Sequence, residues 1–349
     1  MRLFKADQLR ETTIRIFTAA GWPYDDATEV ARHFVLANLS GHDSHGIGML
    51  PLYIAAVKDG LLKPSSMPVD RVNAAPFLHI DANVALGQPT ARRAVARAAE
   101  MALTGGVAIL NLVDAHHVGR IGDYAEQAAE RGLISMFWVN VAGRPPIVAP
   151  HGAREARWGT NPHAIGVPTG DDRPLILDFA TSRMAHGKAR VALNKGEHVA
   201  DGFLIDADGK STNDPAVVFP PLPMGALLPF GDHKGAGIAL IAEIFSAGLT
   251  GGALIKDKAS KSWIINSLFG VLIDPARLEP DQDALNMRIN AIADYVRSAA
   301  PRDGHDKVRA PGDMERETRE QRSANGIPLD DETWRQIVEA GQHFGVEVT

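Results

Sequence analysis

Two periodicities of apolar positions divide the chain. Over the first seventy residues apolar side chains recur at steps of three and four, the spacing of one face of a helix. "ADQLRETTIRIFTAAG" sets Leu9, Thr13, Ile16, Phe17 and Ala20 in a stripe, with Asp7 as a cap and Gly21 as a stop. "DDATEVARHFVLANLSG" repeats the design: Asp26 and Glu29 have capping-box spacing, Val30 and Phe34 share a face, and Gly41 closes the segment. "LLKPSSMP" reads as a linker. The last forty residues return to charged helical segments that pack back on the first ones.

From about Pro76 the pattern changes. "FLHIDA" reads as a strand, and "TARRAVARAAEMAL" as a helix with Val95, Ala99 and Ala102 on one side, ended by Gly105 and Gly106. "VAILNLV" follows as an unbroken apolar run, then a helix over 122–131, then "LISMFWVNV". Strands without polar alternation, separated by helices, predict an α/β sheet covered on both faces. "LILDFATS" is another such strand, and "GFLIDADGKSTND" a strand with a tight turn at Asp208-Gly209. "GDHKGAGIALIAEIFSAG" is apolar on nearly every side, which predicts a buried helix. "LTGGALIKDKASKSW" reads as a mobile loop. The division expected is a helical domain from 1–73 with 306–349, and an α/β cofactor-binding and catalytic domain from 74–305.

Composition narrows the function. Charged residues make up 22% of the 349 and the formal net charge is -6, with no basic run long enough to track a phosphate backbone, so nucleic acid is not an expected partner. The chain has no cysteine, which removes disulfides, thiolate metal sites and cysteine nucleophiles. The N-terminus carries a charge every few residues and no apolar stretch reaches membrane-spanning length. The expectation is a soluble cytoplasmic protein with no membrane partner.

Candidate chemistry concentrates in two stretches. "NLVDAHHVGRIGDYAEQAA" puts His116 and His117 where a buried strand meets a helix, the edge of an α/β sheet at which ligands gather, and Gly119 and Gly122 would let the backbone approach a bound group. "SGHDSHGIGMLPLYI" packs Ser40, His42, Asp43, Ser44 and His45 between two glycines. Neither G-x-G-x-x-G after a strand nor a P-loop occurs, so a dinucleotide would need another scaffold. No H-E-x-x-H exists and no third ligand joins either histidine pair, so no metal is expected; a metal-dependent hydrolase is the remote alternative.

"GHDSHGIGMLPLY", "AHHVGRIGDYAEQAAERGLIS", "WGTNPHAIGVP", "LILDFATS" with "HGKAR", and "HKGAGIAL" with the late "PGD" together resemble the malate/L-lactate dehydrogenase family over nearly the whole chain. The resemblance implies a non-Rossmann fold, a mixed sheet covered by helices with a helical domain from the two termini. It also implies an NAD or NADP cofactor and a homodimer. The catalytic histidine falls on His117, suited to take a hydroxyl proton near neutrality, and its partner aspartate on Asp178, costly inside an apolar strand unless paired. Ser44 and His45 match the element on the substrate and nicotinamide side of the pocket. Cofactor positions fall on His45, Gly119, Arg120, Ile121, Gly122, Tyr124, Asn140, Thr160, Asn161, Asp178, Phe179, Ala180, Lys234 and Gly312. Lys234 stands at a helix N-terminus, a plausible pyrophosphate site by dipole plus ammonium.

One departure bears on substrate. Many relatives carry an arginine where this chain has Met49, and a methionine cannot bind a carboxylate bidentately. Either a bulkier apolar substrate end packs on Met49, or another arginine, with Arg309 as candidate, takes the carboxylate. The function expected is hydride transfer between nicotinamide and a 2-hydroxy/2-oxo acid with a bulky or aromatic side chain. Alternatives on the same scaffold are malate, lactate or ureidoglycolate dehydrogenation and cyclic imine carboxylate reduction.

Overall fold

The computed structural model describes residues 1–221, 223–257 and 264–348, without the side chains of 194 and 195. The loop expected over 249–263 therefore lies partly, at 258–263, outside the described residues.

A seven-stranded mixed sheet organises the chain. Its strands are β2 (Val69–Ala74), β3 (Phe77–Asp81), β4 (Val107–His116), β5 (Ile134–Val139), β6 (His163–Val167), β7 (Leu175–Phe179) and β11 (Ile265–Ile273). The order is β2-β3-β4-β11-β5-β6-β7. Only β3 and β4 pair in parallel; β11 runs antiparallel to both β4 and β5. Because β11 reverses between them, β4 and β5 point the same way, and β7, two antiparallel steps beyond β5, joins them. The ends of β4, β5 and β7 thus lie along one edge. A break in register between Asn266 and Leu268 frees the β11 backbone at that edge, as a β-bulge does.

One face of the sheet is covered by α4 (Gly87–Gly105) and α5 (Gly122–Ala129), which bury an Ala-rich seam against Leu78, Leu110, Leu112, Phe137 and Leu268. The seam is Ala91, Ala94, Ala98 and Ala102 on α4 and Ala125 and Ala128 on α5; small residues bring helix and sheet close. Over the other face run α7 (His233–Glu243) and a π-helical turn, 244–248. The expectation that this segment is buried is corrected. Leu240, Ile241, Ile244 and Leu249 are between 38% and 65% exposed, because the sheet offers the apolar helix cover on one side only.

The helical layer has its own core. Helices α1 (Ala6–Ala19), α2 (Tyr24–Leu39), α3 (Leu50–Lys58) and α10 (Asp331–Gln342) bury Leu9, Phe17, Phe34, Tyr53, Trp334 and Ile337 together. The two ends of the chain are tied by β1 (Arg2–Phe4) against β12 (Ile327–Leu329), a pairing the sequence reading lacked. Helix α1 starts after Lys5, with Asp7 inside its first turn bonded to Arg10, and α2 starts after Pro23, so neither expected side-chain cap forms. Strand β2 begins at Val69, so the expected division at 73/74 cuts through the sheet. Helix α8 (Gln282–Arg297) lies on the surface and α9 (Asp313–Asn325) on α2.

A small third cluster is built on β8 (Leu204–Ile205), β9 (Ser211–Thr212) and β10 (Ala226–Leu227) with α6 (His186–Lys195), around Ile147, Val148, Ala189 and Val218. Among the described residues no helix is long and apolar enough to cross a membrane.

Gly119 has φ +78°, and a methyl group there would overlap the imidazole of His33. Gly119→Ala is expected to cost about 2–5 kcal/mol, from left-handed backbone strain added to overpacking. Urea denaturation at pH 7.5 measures it.

Candidate functional site

Strand β4 ends at His116 and α5 begins at Gly122. His117, in the turn between them, has its Nδ1 2.9 Å from the Tyr53 hydroxyl. That hydroxyl lies 3.0 Å from the His117 carbonyl oxygen and accepts an N–H from the Gln88 amide. Counting protons settles the tautomer. The carbonyl can only accept, so it takes the single tyrosine proton. The tyrosine oxygen then accepts from Nδ1–H and from Gln88. The Nε2 lone pair of His117 is left open. Burial holds this ring neutral, pushing its pKa well below the usual histidine value, and it holds Tyr53 protonated.

His45 stacks on His117, ring centroids 5.5 Å apart at 19°, and its Nδ1 is 3.1 Å from Ser44 Oγ. The loop that carries both is pinned from two sides. Asn38 on α2 accepts from Ile47 N and donates to Asp43, and Arg322 on α9 grips Asp43 with both terminal nitrogens. A side chain on Gly46 would overlap the Asn38 amide, which explains that glycine. Burial first, and then the electrostatic influence of His42, His33 and Arg120, push the His45 pKa down to about 3. Ser44, His45 and His117 therefore come together as the resemblance implies.

The expected partnership of His117 with Asp178 is corrected. No hydrogen bond or ion pair joins them. Asp178 Oδ2 accepts from Gly122 N at 3.0 Å, at the start of α5, and faces Arg120 Nε at 3.3 Å. Its charge is thus taken up by a helix N-terminus and a buried guanidinium, while Tyr53 holds the His117 ring. Arg120 also pairs with Glu126 at 2.9 Å.

The rest of the turn faces inward. Gly119 packs on His33, whose Nε2 accepts from Arg120 N and whose Nδ1–H donates to Asp123 at 2.8 Å. Arg32 closes on the same carboxylate, and these partners hold buried Asp123 far below the ordinary carboxylate range despite its burial. Ile121 is in the sheet core, and the Tyr124 hydroxyl donates to the Val118 carbonyl at 2.6 Å. Gly122 is glycine because Asp178 and Arg120 crowd it. The glycines make room for protein groups, where the sequence reading assigned them to a ligand.

Asn140 and Asn161 are engaged internally too. Asn140 accepts from Ser267 N and donates to the Ala253 carbonyl; Asn161 bonds Val141 N, the Ala239 carbonyl and buried Glu243. Asn266, at the bulge, joins β4 to β5 by accepting from Val118 N and donating to the Asn140 carbonyl. Thr160 offers its carbonyl to Thr181, and Phe179 packs edge-on to His163 and Phe230, with half-buried Ala180 beside it. Gly312, φ +90°, caps α9 beside Ile176 on the edge strand β7. Met49 packs on the helical core. Arg309 is corrected as a carboxylate binder: its Nε faces Glu317 and its terminal nitrogens face Asp306, so every donor edge already meets a carboxylate.

A nicotinamide dinucleotide carries a pyrophosphate and a carboxamide, so it calls for cations and free N–H groups. Two features fit. Arg120 Nη2 is buried with no hydrogen-bond partner among the described residues, and exposed Lys234 sits in the first turn of α7, whose start lies against Thr181 just past β7. Among the described residues no three His, Asp or Glu side chains group as metal ligands do. Tyr53, Gln88 and Asn266 were missed from sequence. Only Tyr53 left a signal, four residues beyond Met49 in the quoted motif.

A mixed sheet, antiparallel at its centre, with a stacked histidine pair at one edge and no glycine-rich nucleotide turn in the sequence, is an α/β architecture apart from the Rossmann fold. Residues 4–338 match the malate/L-lactate dehydrogenase family, and the chain belongs to it. It is 38% identical to hydroxycarboxylate dehydrogenase B of Escherichia coli strain K12, over 98% of this chain and 94% of the relative. It is 35% identical to an L-lactate dehydrogenase of Cupriavidus necator, over 97% of each. The solved sulfolactate dehydrogenase from Methanocaldococcus jannaschii superposes with a TM-score of 0.88 at 30% identity, covering 99% of this chain and 98% of that one.

The neighbouring His116 is 3% exposed, and burial pushes its pKa down to about 3. The unfolded chain therefore takes up a proton near pH 6.5 that the folded one refuses. The stability this group contributes is complete above pH 6.5 and is lost as pH falls toward 3, at about 1.4 kcal/mol per pH unit. His116→Asn should flatten the acid limb by that slope in urea denaturation at pH 7, 6 and 5.

Proposed function

We propose that this protein interconverts 2-hydroxy and 2-oxo carboxylic acids with NAD or NADP, and that His117 moves the proton. The observation that carries the reading is the open Nε2 of a neutral imidazole whose other nitrogen is fixed by Tyr53 and Gln88. The nicotinamide ring, when bound, supplies or accepts the hydride at the substrate carbon. In oxidation His117 Nε2 takes the hydroxyl proton, and in reduction the imidazolium returns it to the carbonyl oxygen. Tyr53 keeps the ring's plane and tautomer, since its oxygen accepts from Nδ1–H in both states. His45, stacked alongside and neutral, limits water at the ring face, and Ser44 offers a hydroxyl to the substrate. Asp178 acts at one remove, steadying Arg120 and the start of α5.

The absence of an arginine at position 49 favours substrates with bulky or aromatic side chains over small dicarboxylates. Family membership and the one-sided cover of α7 also support a homodimer, in which a second copy covers the apolar side of α7 and its π-helical turn.

His117→Ala should lower kcat by about 10²- to 10⁴-fold while the cofactor still binds. Tyr53→Phe, which frees the ring to turn, should cost up to about a hundredfold. Phenylpyruvate, pyruvate, oxaloacetate and a cyclic imine carboxylate, each with NADH and NADPH, are the assay set. Because burial keeps the free enzyme's imidazole unprotonated, kcat/KM for oxidation should stay level from pH 8 to 6, whereas that for reduction should rise as pH falls. A His117→Ala protein that folds and turns over normally would end the assignment. Light scattering should read twice the chain's 37.4 kDa, and Ile244→Glu combined with Leu249→Glu should return a single chain.

A further inference from the structure

The loop that leaves β5 carries an arginine without a partner. Among the described residues Arg144 makes no hydrogen bond and no ion pair, although it is half-buried and most of the chain's other buried or half-buried arginines are held by carboxylates. Its position follows from the sheet. Ile265 on β11 faces His116 on one side and Ala142 on the other, so the chain ends after β4 and β5 lie two strand spacings apart, about 10 Å. His117 is one residue past the first and Arg144 two past the second, at the same edge. Beyond Arg144 the loop turns onto α6, where Ile147 and Val148 pack with Ala189. The first turn of α6 in turn touches the histidine loop: a side chain on Gly187 would come within 2.7 Å of Ser44 Cβ. Arg144 therefore lies at the same edge as Ser44, His45, His117 and His186, and its charge acts on His117 and His186.

From the proposed reaction and this geometry we infer that Arg144 binds the carboxylate of the substrate, the role that Met49 cannot fill and for which Arg309 is already occupied. The charges agree. His117 and His186 feel Arg144, His45 feels Arg120, and no carboxylate is among the leading influences on any of the three. Arg144 itself is pressed downward in pKa by burial and then by Arg190, an exposed cation on α6. Arg144 and Arg190 are like charges, and among the described residues no acid offsets Arg144, which is unfavourable in the free protein; a bound carboxylate relieves both the repulsion and the missing hydrogen bonds. A planar guanidinium two residues from a strand end can meet the carboxylate bidentately. The adjacent 2-oxo carbon then lies toward His117.

The test compares each acid with its amide, pyruvate with pyruvamide and phenylpyruvate with phenylpyruvamide, on wild type, Arg144→Met, Arg144→Lys and Arg309→Ala. Wild type should prefer the acids by 100-fold or more in kcat/KM. Arg144→Met should raise KM for the acids about 100-fold, bring the acid-to-amide preference close to one, and bind NADH or NADPH as before by fluorescence titration. Arg144→Lys should recover part of the preference, and Arg309→Ala should match wild type. If Arg144→Met retains cofactor binding and the full preference for acids, the assignment is overturned. If Arg309→Ala loses that preference instead, the carboxylate site lies at Arg309 and the assignment is equally overturned. If wild type turns over none of the acids, the proposed reaction fails and this inference fails with it, an outcome distinct from an active wild type indifferent to Arg144.

Discussion

A buried imidazole is useful to a proton-transfer site only if one nitrogen is tied to a known donor or acceptor and the other is left free. Leaving a buried polar group without a partner costs about 1–3 kcal/mol, so the free nitrogen must be one that a ligand will meet. The turn from His117 to Asp123 is arranged around two such rings. His117 gives Nδ1–H to Tyr53 and keeps Nε2 open. His33 gives Nδ1–H to Asp123 and accepts the Arg120 N–H, which fixes the backbone just beyond. With both rings held by hydrogen bonds to their partners, the strand end can move little. Gly119 and Gly87 are required because their backbones touch His33 and the carbonyls of His116 and His117.

This arrangement makes the helical layer part of the site. Tyr53 comes from α3, Gln88 from α4 and His33 from α2, while His117 and Asp123 come from the sheet's connection. A helix core and a sheet core that look separable by composition are locked at one point by hydrogen bonds that neither could make alone. The bulge in β11 serves the same edge: Asn266 and Asn140 each bridge neighbouring strands, holding the ends of β4 and β5 at a defined separation.

The site's charge carries a second message. Carboxylates are placed behind the turn, at Asp123, Asp178 and Glu126, where they offset Arg32 and Arg120. In front of it, Arg144 is the arginine that acts on both His117 and His186. Relatives that share the fold are named for lactate, sulfolactate and hydroxycarboxylates, all of them anions, and an anion is the general complement of an unpaired guanidinium.

The α/β class, the strands β3, β4, β5 and β7, the helices α1, α2, α4 and α5, and the site histidines His45 and His117 were legible in the sequence, because each depends on local periodicity or on a compact motif. Strand β11, the centre of the sheet, was not read at all. Its neighbours, β4 and β5, are more than a hundred residues earlier, and an apolar run does not reveal which strands it will join. The exposure of α7 was misread for a related reason: an apolar helix announces that it needs cover, not which side of it the chain supplies. Asp178 was matched to the wrong group because pairing a charge is a matter of distance in space, and Arg120 and the α5 terminus stood nearer than His117. The identity of the site's residues was thus local information carried by the chain itself. The partners that set the tautomer, Tyr53 and Gln88, came only with tertiary contact, since a hydrogen bond exists only once folding has placed its two halves a few ångströms apart.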